Sequence, residues 1–449
     1  MEGPRSPEEA ARSLRGHGAF WLGGLVAQEP AQAPQHTGRF SYFGVDPVEE
    51  RVLPRGAPAA DAASWWRALP PPPNRAGESA AHGLRVPEWV GFVSYDAGVR
   101  VDAAATVDPA ATARTTTPLL WFGRYDAVLI YDAVERRWLV AAETDAAADA
   151  LAARVKTGGA APQASVGPAT ASDAPSHLRA IHEALEHIAA GDIYQINLAR
   201  RWTATFAGEP LALAEAMAAA SPVPLGFYLA TEPWALVVRT METFFDWRRG
   251  RIVTRPIKGT IASSPQTAEA QADALRTNEK ERAEHVMIVD LMRNDLGRVA
   301  KAGTVRVDEI MGVEPYARLS HLVSTISADT GDGVTLVEIF RALFPPGSVT
   351  GTPKTRAVEL IGELEPHPRG AYTGAVGFVD RDGDATFAVA IRAAEIANGR
   401  ATYFAGGGIV EASDPSLEVA ETELKARVFV DALARIAAND TVASDPHGG

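Results

Sequence analysis

Apolar residues recur at helical spacing over residues 144–156, 174–190, 265–294, 334–342, 353–362 and 416–435, and each stretch predicts a helix. Between them lie short β-branched and aromatic runs bounded by turn residues, which predict strands. Early in the chain these runs are Trp89 to Tyr95, Leu119 to Phe122, Ala127 to Tyr131 and Arg137 to Ala142. Later ones cover 226–231, 235–239, 373–380, 385–395 and 400–406. Tight connections at Asp380-Arg381-Asp382-Gly383-Asp384 and Asn398-Gly399 read as hairpins, so neighbouring strands run antiparallel. The pattern is α+β and argues against a doubly wound parallel sheet. Two stretches break it. Residues 54–82 are rich in Pro and Ala and include Pro70 to Pro73, a stiff surface loop, while 158–175 lack any periodicity and read as a loop or linker. The expected organisation is a strand-rich region 1–157, the linker 158–175, a catalytic domain 176–436 and a flexible tail 437–449.

Length and charge narrow the picture. A chain of 449 residues exceeds the usual single core, which implies two domains or one large composite core. The net charge of −13, with no run rich in Lys or Arg, makes nucleic acid and anionic membranes poor partners. Cysteine is absent, which excludes disulfides, thiolate metal sites and a cysteine nucleophile. Met1 to Arg15 is polar, with no signal-peptide stretch, and no window approaches 18 uninterrupted apolar residues. A cytoplasmic, non-membrane protein is expected.

Candidate chemistry centres on Lys258 in the run Arg255-Pro256-Ile257-Lys258-Gly259-Thr260. Pro256 restrains the backbone and Gly259 permits a positive φ, so the lysine stands on a constrained corner. Most lysines in such turns are solvated; the surroundings must supply the case for a nucleophile. Glu281 and Glu284 share one helix face, and Glu418 and Glu421 repeat the spacing, followed one turn later by Lys425. Exposed glutamate pairs are common, yet two such helices could build an all-oxygen Mg²⁺ site. Gly406-Gly407-Gly408 ends a good strand, where bare backbone can present N–H groups to an anion. The stretch Gly347 to Thr355, which includes Ser348, superficially resembles a phosphate loop. It fails because Pro353 stands where a glycine and its N–H are needed; Pro353 reads instead as the first residue of a helix N-capped by Thr352. His321 lies on an apolar stretch, where a core histidine is the usual explanation. Arg392, in the apolar run Ala390 to Ala394, needs an anionic partner, either a substrate carboxylate or an internal ion pair. Tyr372 could donate to the same anion.

Taken in order, these runs resemble the chorismate-utilising enzyme family. The matching segments are Gly191 to Leu198, Arg255 to Thr260, Glu284-His285 through Asp290 to Asp295, and Gly351 to Lys354. They continue with Tyr372 to Gly377, Ala390 to Arg392, Gly406 to Val410 and Glu418 to Lys425, together spanning about residues 174–430. Within the family, a lysine third in Pro-Ile-Lys-Gly-Thr is typical of aminodeoxychorismate synthases, the 4-aminobenzoate branch. Anthranilate, isochorismate and salicylate synthases usually carry alanine there. Members that add water have a lysine where this chain has Gln195.

The resemblance implies two stacked antiparallel sheets flanked by helices, Mg²⁺ as cofactor, and chorismate as substrate. It implies that Lys258 attacks ring carbon 2 as the carbon 4 hydroxyl leaves, and that ammonia then adds at carbon 4. Glu242 matches the general acid and base, although Thr240-Met241 replaces the usual Ser-Pro before it. His321 would orient the ring. Glu284 and Glu421 would be the nearest metal ligands, with Glu281 and Glu418 close or acting through water. Gly406 to Gly408 and Lys425 would meet the ring carboxylate, and Tyr372 and Arg392 the enolpyruvyl carboxylate. Ser348 and Thr260 join the substrate-binding set. A separate glutamine amidotransferase is implied as the ammonia source, with no fused lyase. Phe20-Trp21-Leu22-Gly23-Gly24 lacks the family's Leu-Leu-Glu-Ser run, so tryptophan feedback is not expected. Two other readings stay open here: anthranilate synthase component I, and a non-catalytic chorismate-binding subunit.

Overall fold

A computed structural model describes residues 4–23, 38–55, 69–70, 84–101, 117–155, 159–223, 225–262, 268–315 and 319–443. Among these, the strands assemble into two large antiparallel sheets of twelve and ten strands. The first runs from Gly351–Thr352 through Gln195–Gly208, Arg400–Ile409, Ala393–Ala397, Trp234–Thr240 and Leu225–Thr231 to Ala19–Leu22, Phe40–Gly44, Ala127–Asp132 and Arg137–Ala142. The second runs from Ile257–Ala262 through Leu319–Asp329, Arg251–Arg255, Thr243–Arg248, Ala385–Val389 and Ala375–Asp380 to Pro87–Val93, Leu120–Arg124 and Glu49–Leu53. The α+β reading with two antiparallel sheets therefore holds, and strands before residue 157 extend both sheets.

Alternation along the strands sorts side chains into layers. Phe92, Trp121, Ile130, Leu229, Leu236 and Val376 meet between the sheets. The opposite face of the first sheet packs Tyr403, Ala405 and Val237 against Phe429 and Leu433 of helix Pro415–Ala443 and Met217 of helix Pro210–Ala220. The second sheet packs Phe245, Ile326 and Phe387 against Ile288 and Met292 of helix Glu279–Gly297 and Phe340 of helix Leu336–Leu343.

The chain passes from one sheet to the other at short corners, and two of these carry candidate residues. Met241-Glu242 joins Trp234–Thr240 of the first sheet to Thr243–Arg248 of the second. Ala390-Ile391-Arg392 joins Ala385–Val389 of the second to Ala393–Ala397 of the first. The two corners are tied together: Val389 N–H donates to the Glu242 carbonyl at 3.0 Å, and Arg239 N–H to the Arg392 carbonyl at 3.2 Å.

Several expectations change in detail. The stretch 385–395 is two strands in different sheets, because Arg392 adopts φ 50° and turns the chain. The stretch 265–294 holds two helices, Ala268–Thr277 and Glu279–Gly297, because the Asn278 side chain accepts from Glu281 N–H and caps the second. Thr352 does not cap the next helix; it pairs with Gln195 in the first sheet, and Pro353 occupies the cap position. Residues 164–166 and 170–171, within the stretch read as a linker, are short strands on Gln195–Gly208. At the other end, helix Pro415–Ala443 extends into the stretch read as a tail, and 444–449 lie outside the described residues. No helix among the described residues is long and apolar enough to cross a membrane.

Candidate active site

Lys258 lies on strand Ile257–Ala262 at the end of the second sheet, opposite Leu322 of the neighbouring strand. Its ammonium donates to Glu284 Oε2 at 2.7 Å. It also reaches the first sheet: a Cβ built on Gly408 would stand 2.7 Å from Lys258 Nζ and 3.0 Å from Gln195 Nε2. The bare backbone of Gly408 thus leaves room for both the Lys258 ammonium and the Gln195 amide. Gln195 is buried, and neither its amide oxygen nor its nitrogen has a hydrogen-bond partner. An unsatisfied buried amide is costly, so the orphaned pair marks a place where a ligand completes the bonding.

Gly259, at φ 69°, lets the chain bend here; a Cβ would stand 3.1 Å from Glu281 Oε2. His321, buried in the strand opposite, hydrogen-bonds the Gly259 backbone. Burial and the nearby Arg392 charge push His321 down to about 4, so it is neutral at physiological pH. Thr260 pairs through its backbone with His321, and its side chain lies outside the described residues.

Glu242 is buried at its corner and accepts from Ser348 Oγ. Burial raises its carboxyl to about 7; the Ser348 hydrogen bond and the Lys258 charge oppose the rise. A carboxyl tuned to neutrality beside a lysine suits proton transfer in both directions.

The anion-binding candidates gather beside them. Tyr372 is buried, stacks on Phe404 at 5.5 Å, and lies at the Gly406 backbone. Arg392 donates to Ser221 Oγ at 3.0 Å and, among the described residues, forms no ion pair. A half-buried guanidinium without a carboxylate partner favours an incoming anion. Of the two expected partners for Arg392, an internal carboxylate is not found among the described residues.

The four glutamates come from two helices, Glu281 and Glu284 from Glu279–Gly297 and Glu418 and Glu421 from Pro415–Ala443. Phe404, Gly406 and Gly408 face Tyr372 and Lys258, whereas Tyr403, Ala405 and Gly407 face helix Pro415–Ala443. Glu418 Oε2 reaches to 2.9 Å from the Cβ position of Gly407, and Glu418 Oε1 accepts from Ser413 Oγ at 2.7 Å. Glu421 pairs with Lys425 at 2.6 Å, and Lys425 Nζ also donates to the Gly406 carbonyl at 2.9 Å. Hard oxygen donors of this kind match Mg²⁺ chemistry. As the side chains stand, no three acidic or histidine groups among the described residues close round an ion, and lysine ammoniums neutralise Glu284 and Glu421.

Residues 30–431 match the sequence pattern of the family described as chorismate binding enzyme. The chain belongs to that family. Its relatives include aminodeoxychorismate synthase component 1 of Bacillus subtilis, 32% identical over 430 residues, or 88% of this chain and 89% of that protein. Anthranilate synthase component 1 of Streptomyces coelicolor is 43% identical over 258 residues, 57% of this chain and 50% of that protein. The chain thus spans about half the length of the latter relative. The fold matches anthranilate synthase component I from Streptococcus pneumoniae, with TM-score 0.76 at 24% identity, covering 96% of this chain and 99% of that one.

One residue that ties this candidate site together escaped the sequence. Arg369 is fully buried, pairs with Glu365, donates to the carbonyls of Val349 and Asn197 and to Thr373 Oγ1, and lies over the Tyr95 and Tyr372 rings. It thereby links the segments that carry Ser348, Gln195 and Tyr372. Its only sequence signal is the arginine of Pro368-Arg369-Gly370, three residues before Tyr372. A separate cavity of about 670 Å³ opens between the sheets, lined by Leu22, Gly23, Phe227, Arg248 and Phe378. None of Lys258, Gln195 or Glu242 lines it.

Proposed function

We propose that this protein aminates chorismate at ring carbon 4 to give 4-amino-4-deoxychorismate, in a Mg²⁺-dependent reaction. The Lys258 ammonium gives a proton to solvent, the free amine bonds to ring carbon 2, both ring double bonds shift by one position, and the carbon 4 hydroxyl leaves as water with a proton from Glu242. Ammonia then bonds to carbon 4, both double bonds shift back, the lysine leaves carbon 2, and Glu242 recovers its proton from the incoming nitrogen. Gln195, with its amide free beside Lys258, supplies hydrogen bonds to the reacting face without a basic group that could activate water. His321, neutral at working pH, orients the ring.

Glu284 and Glu421 would hold Mg²⁺, with Glu281 and Glu418 close by or acting through water. The bound ion would neutralise the ring carboxylate, which also meets Gly406 to Gly408 and Lys425. Arg392 and Tyr372 hold the enolpyruvyl carboxylate, with Thr260 and Ser348 completing the substrate contacts. This arrangement lets a dianion enter a protein of net charge −13. Ammonia comes from a separate glutamine amidotransferase, since the chain has no cysteine for glutamine hydrolysis.

The observation that carries this reading is that the Lys258 ammonium and the unpartnered Gln195 amide both border the space over Gly408. Anthranilate synthase is the second reading, favoured by the Streptomyces coelicolor likeness. Incubation with chorismate, Mg²⁺ and ammonium, followed by mass spectrometry, separates the two. A product that keeps the enolpyruvyl group supports amination at carbon 4; anthranilate with pyruvate would sink it.

A further inference from the structure

Two arginines, Arg239 buried and Arg392 half-buried, meet at one serine. Ser221 follows helix Pro210–Ala220 and is itself buried. Its carbonyl accepts from Arg239 Nε at 3.4 Å and Nη2 at 3.3 Å, and its hydroxyl accepts from Arg392 Nη1 at 3.0 Å. Arg239 also donates to the Val223 carbonyl at 3.4 Å, so it closes the C-terminal end of that helix, where a cation is favoured. The room for it comes from Gly226, whose Cβ would stand 2.2 Å from Arg239 Nη1. Among the described residues neither guanidinium has a carboxylate partner. Burial alone lowers Arg239 to about 10, which leaves it charged at neutral pH.

Arg392 needs such support. It sits at the corner between sheets in a left-handed conformation that a side-chain-bearing residue rarely adopts. Its backbone carbonyl is held by Arg239 N–H and its side chain by Ser221 Oγ. Both ends of Arg392 are thus clamped by one unit, made of a helix terminus and a neighbouring strand.

We propose that Ser221 and Arg239 are positioning residues, which hold the Arg392 guanidinium in place for the side-chain carboxylate of the substrate. Neither touches the substrate; Ser221 acts through Arg392, and Arg239 acts through Ser221 and the Arg392 backbone. The inference rests on the reading of Arg392 given above.

The test is steady-state kinetics of the full chain with chorismate, Mg²⁺ and ammonium, comparing Ser221→Ala, Arg392→Ala and the double variant. Loss of a hydrogen bond to a charged group predicts a KM for chorismate about tenfold higher in Ser221→Ala, with kcat within about twofold. The double variant should be no worse than Arg392→Ala alone, and Ser221→Thr, which keeps the hydroxyl, should recover most of the affinity. If Arg392→Ala raises KM but Ser221→Ala does not, the positioning role is overturned and the Arg392 reading stands. If Arg392→Ala leaves KM unchanged, that reading falls and this inference with it. A Ser221→Ala variant that loses kcat, melts earlier and adds fully to Arg392→Ala would show a structural role only.

Discussion

The Lys258 ammonium packs against the bare backbone of Gly408, 2.7 Å from where a Cβ would stand. Gly408→Ala must therefore push the lysine tip or the Gln195 amide aside. Because the obstacle is a flexible side chain, the fold should survive. A displacement of about 1 Å at a reacting group costs on the order of 10²-fold in rate. We expect kcat to fall by about that factor with an unchanged melting temperature; an active Gly408→Ala would show that this contact does not set the nucleophile.

Lys258→Ala should abolish formation of the aminated product. Removal of a covalent nucleophile costs on the order of 10⁴-fold or more. Mass spectrometry of the wild-type chain trapped during turnover should find chorismate-derived mass on the peptide that contains Lys258. Full activity in the alanine variant would exclude the covalent route.

Burial lifts Glu242 to about 7, while Ser348 pulls it down. The protonated form is the one that assists departure of the hydroxyl, so kcat/KM should fall as pH rises through about 7. Ser348→Ala removes a hydrogen bond that favours the carboxylate, and this falling limb should then shift to higher pH. The stability sign agrees: the folded state keeps a proton that the unfolded chain releases at the usual carboxylate pKa. That contribution is complete at acid pH and is lost as pH climbs through about 7. A pH profile identical in the two proteins would remove Glu242 from the proton path.

Ser413 fixes Glu418 by a 2.7 Å hydrogen bond. Partners that orient a metal ligand are worth about 10–100-fold in affinity. Ser413→Ala should weaken Mg²⁺ binding by about tenfold and Glu284→Gln by more, measured by calorimetry on the full chain with chorismate bound. Unaltered affinity in both would place the metal elsewhere.

Arg369 pairs with Glu365 in the interior at 2.7 Å, and removing one partner strands the other. Arg369→Ala should cost about 3–5 kcal/mol of stability, read from urea denaturation. A loss below about 1 kcal/mol would mean that water replaces the guanidinium without penalty.

Much of this protein was legible along the chain because it is written in short-range terms. Helical spacing placed the two glutamate pairs, a strand run placed Gly406 to Gly408, and hairpin turns made the sheets antiparallel. The helix break at Asn278 was a capping signal available in the sequence. The two-sheet assignment of 385–395 was not, because an apolar run looks alike whether it continues a strand or turns between sheets.

The amino-acid order by itself determined which groups are available: a lysine on a Pro-Gly corner, oxygen donors at helical intervals, glycines at a strand end, and no cysteine. Only the tertiary structure decided which of them meet. Lys258 finds Glu284 across 26 residues, Ser348 finds Glu242 across 106, and Arg392 finds Ser221 across 171. Those contacts depend on where the chain crosses between sheets, and a crossing is set by packing of both sheet faces at once. Local periodicity carries no record of it, which is why Arg369 and Ser221 came into view only in three dimensions.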